Sequence, residues 1–189
     1  AEAVVDVHDG VVTKRRRPRE YRHPALDDRL RSERTRREAR ATSAARRLGV
    51  PTPLVRDVDL REHTITLQEV GSADLKDDLR EPSVADVGRH LATLHEAGLV
   101  HGDPTIRNVR VDGAAGQESG DRATDGRTFL IDFGLSYDSR DAEDHAMDLH
   151  VFEQSIAGVA DDPDTLIQAA EAAYRASRTA PGPVFDRLR

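Results

Sequence analysis

A chain of 189 residues can form one ordinary domain or two small lobes around a cleft, and with 4% aromatic residues its core must rely on Leu, Val, Ile and Ala. It has no cysteine, which excludes a disulfide framework and any thiolate metal site, and no apolar run reaches the length of a membrane span or signal-peptide core. Residues 14–47 hold 14 basic and 5 acidic side chains, net +9, which leaves −16 on the rest of a chain of net −7. A soluble cytoplasmic protein with no membrane partner is therefore expected. Its basic block either meets an anion, nucleotide phosphate or RNA, or is a solvated Arg-rich helix.

Along the chain, 3–7 and 10–13 read as strands around an Asp9-Gly10 turn. A basic, Pro-punctuated connector fills 14–24. A long helix follows over 26–48, ended by Gly49, with sparse apolar positions at Leu26, Leu30, Ala41, Ala45 and Leu48. Residues 54–58 and 64–70 alternate as a hairpin. Past Gly71 the pattern turns helical, with Ser83 and Asp86 as a capping box and Val84, Val87, Leu91 and Leu94 as a buried stripe up to Gly98. Short strands at 99–100 and 109–111 flank His101-Gly102-Asp103. Residues 112–127, rich in Gly, Ser, Asp and Ala, read as a mobile loop. The apolar strand 129–131 delivers Asp132, and helices over 144–157 and 164–178 finish the chain. Strands and one helix followed mostly by helices give an α+β fold of bilobal, protein-kinase-like type: residues 1–70 as N-lobe, 71–189 as C-lobe, with a few residues lacking at each end.

Phosphoryl transfer needs a carboxylate on the acceptor, divalent metal on the phosphates, and a cation held by a second carboxylate. Asp103-Pro104-Thr105-Ile106-Arg107-Asn108 has the Asp-x-x-x-x-Asn spacing of a kinase catalytic loop, and Asp132-Phe133-Gly134 follows an apolar strand in the order that signature demands. Asp103 is the candidate base, and Asn108 and Asp132 offer magnesium hard oxygen ligands. Lys14, one of only two lysines, ends the strand 11–13 and is the candidate cation, with Glu38 on the long helix as its carboxylate. The blander alternatives are a snorkelling lysine and a surface ion pair among Arg36, Arg37 and Arg40.

Lys14-Arg15, Tyr21-Arg22-His23-Pro24, Leu26-Asp27, Arg34-Thr35-Arg36-Arg37-Glu38-Ala39-Arg40, His101-Gly102-Asp103, residues 131–135, and Glu143-Asp144 with Ala146 and Asp148-Leu149 together resemble the small atypical serine/threonine kinase subunit of the KEOPS tRNA-modification complex, of archaeal type. The resemblance covers nearly the whole chain. It implies ATP and Mg2+ as cofactors, and a role in threonylcarbamoyl modification of adenosine-37 of tRNA. The implied partners are a Kae1-type transferase subunit and the other KEOPS subunits, with tRNA met through the complex. Carried over, Lys14 holds the phosphates, Glu38 holds Lys14, Asp103 is the base, and Asn108 and Asp132 hold magnesium. Asp148 anchors the catalytic loop, and Glu69 falls at the adenine hinge, where the plain alternative is an exposed strand-end carboxylate. Pro104, Ile106 and Arg107 depart from the family's His-Gly-Asp-Leu-Thr-Thr-Ser-Asn, so a slightly reshaped loop is expected. The resemblance places a glycine before Ala1 and a basic tail beyond Arg189.

Gly102 stands where ordinary protein kinases carry the Arg that reads a phosphorylated activation loop, and only eight residues separate Gly134 from Glu143-Asp144. These features disfavour a switchable signalling kinase and favour ATP hydrolysis or autophosphorylation within an assembly, with Ser136, Tyr137 and Ser139 as possible acceptors. The competing readings are a RIO-type or small-molecule phosphotransferase, and a catalytically dead scaffold that binds RNA or a partner.

Overall fold

The computed structural model describes residues 3–112 and 127–188. The Gly-rich segment expected as a loop thus lies, over 113–126, outside the described residues.

Alternating side chains on either side of Asp9-Gly10, both at positive φ, close a hairpin of β1 (Ala3–His8) and β2 (Val11–Arg16). With β3 (Val55–Asp59) and β4 (Thr64–Gln68) they form an antiparallel sheet in the order β1-β2-β4-β3. The strand expected to end at Lys14 continues two residues further, because Lys14 pairs with Ile65 and Arg15 with Thr64. Helix α1 (Pro24–Arg47) lies under this sheet. It starts on Pro24, whose fixed φ suits the first helical turn. It stops where Gly49 turns left-handed and the Gly49 and Val50 N–H groups bond the carbonyls of Arg46 and Ala45. Of its expected apolar positions, Ala41 and Ala45 are buried while Leu26 and Leu48 are exposed. The face it presents inward is mostly small or polar: Asp27, Thr35, Glu38, Ala39, Ala41, Thr42 and Ala45. Among the described residues, Ala39, Ile65 and Leu67 form a small buried apolar cluster between sheet and helix, with the partly buried Val12, Val55 and Val58 packed against it.

The main core takes Ala41, Ala45 and Val50 from α1 and the turn after it and draws its other buried residues from the chain after β4. Strand β5 (Ala73–Asp74) and a 3-10 turn at Leu75–Asp77 come before the next helix, where a continuous helical stretch was expected. Helix α2 runs Glu81–Glu96. Ser83 is therefore inside the helix and does not cap it; Pro82 in the first turn marks the start. The stripe Val84, Val87, Leu91 and Leu94 is fully buried. Strand β6 (Leu99–Val100), β7 (Val109–Val111), β8 (Thr128–Leu130) and β9 (Tyr137–Asp138) follow, then α3 (Ala142–Ala157), α4 (Pro163–Ser177) and α5 (Gly182–Leu188), the last not anticipated from sequence. Two small sheets, β5-β7-β8 and β6-β9, place the loops between these helices and the first sheet. Helices α2 and α4 pack so closely that the Ala170 carbonyl stands where a Cβ on Gly88 would be. Among the described residues no helix is long and apolar enough to cross a membrane.

One carboxylate sits badly in this core. Glu153 on α3 has a buried Oε1 with no hydrogen-bond partner, and burial, with Glu171 of α4 adding like charge, pushes its carboxyl up to about 7. Because the folded chain holds this proton more tightly than the unfolded chain, Glu153 subtracts stability as pH rises from the ordinary carboxylate range to about 7. Glu153→Gln is expected to raise the melting temperature at pH 8 and to leave it unchanged near pH 4.5, as read by thermal unfolding at the two pH values.

Candidate active site

Lys14 and Arg16 are two residues apart on β2, so the strand's pleat sends both to the face above α1. Glu38 on α1 meets them with its side chain 1% exposed. The Lys14 ammonium donates to Glu38 Oε1 at 2.9 Å and to Asp132 Oδ1 at 2.7 Å, while the Arg16 guanidinium donates to Glu38 Oε2 at 2.5 Å. Glu38 is thus an interior carboxylate, and Arg36, Arg37 and Arg40 point outward as exposed side chains. Asp132 follows β8 in a left-handed conformation (φ 59°), which short polar side chains tolerate, and accepts from the Gly134 N–H at 3.3 Å. Burial pushes its carboxyl up, but the adjacent Lys14 ammonium, with the bonds from Lys14 and Gly134, outweighs this and holds it below the usual range.

The catalytic-loop candidate is fixed from below. Asp148 of α3 accepts the backbone N–H groups of His101 (2.7 Å) and Gly102 (2.8 Å) and faces His95 Nε2 at 3.0 Å. His95 continues to the Tyr174 hydroxyl at 2.9 Å, to which Arg178 donates at 2.6 Å. Burial raises Asp148, but the hydrogen bond from His95, its charge and those of its neighbours win, and the carboxyl lies below its ordinary value. Gly102 has φ 85°, and the Leu135 carbonyl occupies the place of a Cβ, so only glycine fits between the loop and the segment after Gly134. The β6-β9 pair, Val100 with Tyr137, adds a second tie between the same two segments.

Asp103 is half-buried, and burial raises its carboxyl above the ordinary range against the hydrogen bond from Asn108. The Asn108 amide nitrogen donates to the Asp103 carbonyl and to Asp103 Oδ2, both at 2.9 Å, which leaves its amide oxygen as an acceptor. Pro104 sits in a turn closed by the Thr105 N–H on the Asp103 carbonyl at 2.9 Å, a bond that needs no N–H from residue 104. Ile106 is buried in the main core and its N–H bonds Ser155 Oγ at 3.1 Å. Strands β7 and β8 pair side by side, and the Ile131 N–H bonds the Asn108 carbonyl at 3.0 Å, so Asn108 and Asp132 leave neighbouring strands toward the same cleft.

That cleft, of about 270 Å³, runs between the first sheet and the β5-β7-β8 sheet. Lys14, Glu38, Asn108 and Asp132 line its polar end, and Val5, Val7, Val12, Leu67, Val70 and Ile131 its apolar part. Glu69 lies on its rim, exposed, with its N–H on the Gly10 carbonyl at 3.0 Å. An amide oxygen and a carboxylate are hard donors that suit magnesium, which keeps several waters. Among the described residues no group of three or more His, Asp or Glu offers an all-protein cage. Of the hydroxyls considered as acceptors, Ser136 is buried on the Phe133 carbonyl, and Tyr137 and Ser139 both bond Asp144. Sequence reasoning missed Arg16, which the connector reading hid. Its signal was the strand period, which puts it on the face of Lys14.

No family model matches the chain. Across all of its length it is 60% identical to the probable bifunctional tRNA threonylcarbamoyladenosine biosynthesis protein of Haloarcula marismortui, and 58% identical to that of Halobacterium salinarum. In both cases it spans about a third of the relative (33%). These relatives bear out the resemblance read from the sequence. Two solved structures of the Rio2 kinase from Chaetomium thermophilum superpose with TM-scores of 0.62 and 0.60 at 20% and 17% identity. They cover 94% and 100% of this chain and 63% and 69% of theirs, and the second is a complex with ADP, Mg2+ and phosphoaspartate. The fold is that of a minimal bilobal protein kinase.

The anchoring of the loop is testable. Asp148→Asn leaves a buried loop N–H without its acceptor and is expected to destabilise the chain by about 2–4 kcal/mol, read as a lower urea midpoint at unchanged slope.

Proposed function

We propose that this chain, homologous over its full length to one third of the bifunctional tRNA threonylcarbamoyladenosine biosynthesis proteins, is their ATP-dependent phosphotransferase part. It works as an atypical serine/threonine kinase or ATPase in support of that modification at tRNA position 37. The observation that carries this reading is the Lys14 ammonium held between Glu38 and Asp132 at the polar end of the cleft. A buried carboxylate that aims a lysine, and a second carboxylate beside it, are the parts that phosphoryl transfer requires.

In this reading residues 1–70 are the N-lobe and 71–189 the C-lobe. The valines of β1 and β2 cover the adenine, with Glu69 at the hinge. Lys14 is directed at the phosphates by Glu38. Asn108 and Asp132 hold Mg2+, which when bound neutralises phosphate charge. Asp132 is kept ionised by Lys14, which suits a metal ligand. Asp103, whose burial makes it a better proton acceptor than an exposed carboxylate, receives the acceptor's proton and is oriented by Asn108. The rigid tie of the segment after Gly134 to the catalytic loop supports turnover within an assembly over switched signalling. The partners are a Kae1-type transferase subunit and the other KEOPS subunits, with tRNA reached through the complex, in the cytoplasm.

Asp103→Asn keeps size and hydrogen bonding but removes the proton acceptor. In a reconstituted complex it is expected to lower ATP turnover by roughly 10²–10⁴-fold and to impair tRNA modification. Modification at the wild-type level would assign the chain a scaffold role.

A further inference from the structure

Arg16 is flanked by exposed Arg15 and Arg17, yet its own side chain is 7% exposed. Between two exposed arginines, such burial calls for a reason. Its guanidinium takes the oxygen of Glu38 that Lys14 leaves, so each Glu38 oxygen meets one cation. Lys14 alone cannot neutralise this carboxylate, because its ammonium is shared with Asp132. The four charges Lys14, Arg16, Glu38 and Asp132 balance only with Arg16 included.

The backbone around Arg16 is held as firmly as its side chain. Its N–H bonds the His63 carbonyl at 3.0 Å, and the His63 ring faces Asp28 Oδ1 at 3.0 Å and the Ser32 hydroxyl at 3.3 Å on α1. On the far side, a Cβ on Gly134 would lie 2.9 Å from Arg16 Nη2, 3.0 Å from Asp132 Oδ1 and 3.5 Å from Glu38 Oε2. A side chain at Gly134 would require the guanidinium tip to shift. Arg16 thus touches the strand that carries Lys14, the helix that carries Glu38 and the turn that carries Asp132.

Where a kinase-like fold is switched, the Lys–Glu pair forms when a phosphorylated segment draws the helix in. Here Gly102 cannot read a phosphate and the segment after Gly134 is short. Resting on the functional reading above, we propose that Arg16 is a positioning residue, a permanent second cation on Glu38. It keeps α1 docked while Lys14 turns to the nucleotide, so the site is assembled without a phosphorylation step.

The test compares kcat and KM for ATP in the full protein and its variants. Arg16→Met is expected to lower kcat by about a hundredfold, the scale set by small misplacements of a reacting group. Arg16→Lys, which keeps the charge with a shorter reach and no fork, should fall between the two and serves where Arg16→Met does not stay folded. Arg17→Met is expected to match wild type. In a Glu38→Gln background, where no carboxylate needs the second cation, Arg16→Met should change kcat less than about twofold, as expected when two residues act as one unit. A purely structural role predicts instead additive losses in the double variant and equal kcat for wild type and Arg16→Lys. An active wild type whose Arg16 variants keep kcat overturns this assignment alone. A wild type inert toward ATP overturns the functional reading and this assignment with it.

Discussion

Glu38 carries a buried carboxylate that the cations of Lys14 and Arg16 neutralise. A charge withdrawn from water is tolerated only with partners of good geometry, and removing one partner leaves the other exposed to the full desolvation penalty. Among the described residues the apolar cluster between the first sheet and α1 is small, three buried residues with three partly buried valines around them. Charge pairing adds specificity. Lys14 and Arg16 reach Glu38 from one strand, Asp132 reaches Lys14 from the other half of the molecule, and the cleft between the halves is defined by that meeting.

The second half achieves order by the opposite means. A large apolar core around α2, α3 and α4 carries a buried polar chain running from Arg178 through Tyr174 and His95 to Asp148, and Asp148 hands its two acceptor oxygens to the loop that bears Asp103. Rigid helices thereby position a loop with no regular structure of its own. The loop is pinned again at Ile106, on Ser155 of α3, so one helix holds it both before Asp103 and within the Asp103–Asn108 turn. Asp103 and Asn108 need little freedom to act, and the fold gives them little.

Much of this was legible in the residues. Asp9-Gly10 marked the first hairpin, Gly49 the end of α1, and the motif spacing two residues, Asn108 and Asp132, that line one cleft. What escaped had physical reasons. Arg16 lay in a run of arginines, and charge density hid the alternation that makes one of them an interior residue. Ser83 looked like a helix cap, while the start was set two residues earlier by the tolerance of the first turn for Pro82. Strands β5 and β9 are two residues long and exist only because β7 and β6 lie beside them, which no local pattern records. Glu153 is a misfit that only packing reveals.

In the proposed reading, Lys14, Glu38, Asn108 and Asp132 form a magnesium–nucleotide site. Calorimetric titration of the protein with ADP, in the presence and absence of Mg2+, tests it most directly, with Asp132→Asn as the comparison. Mg2+ is expected to tighten ADP binding at least about tenfold, a difference of about 1.4 kcal/mol, and Asp132→Asn to abolish this dependence. ADP binding that is indifferent to Mg2+ in the wild type, or equally responsive in Asp132→Asn, would contradict that reading.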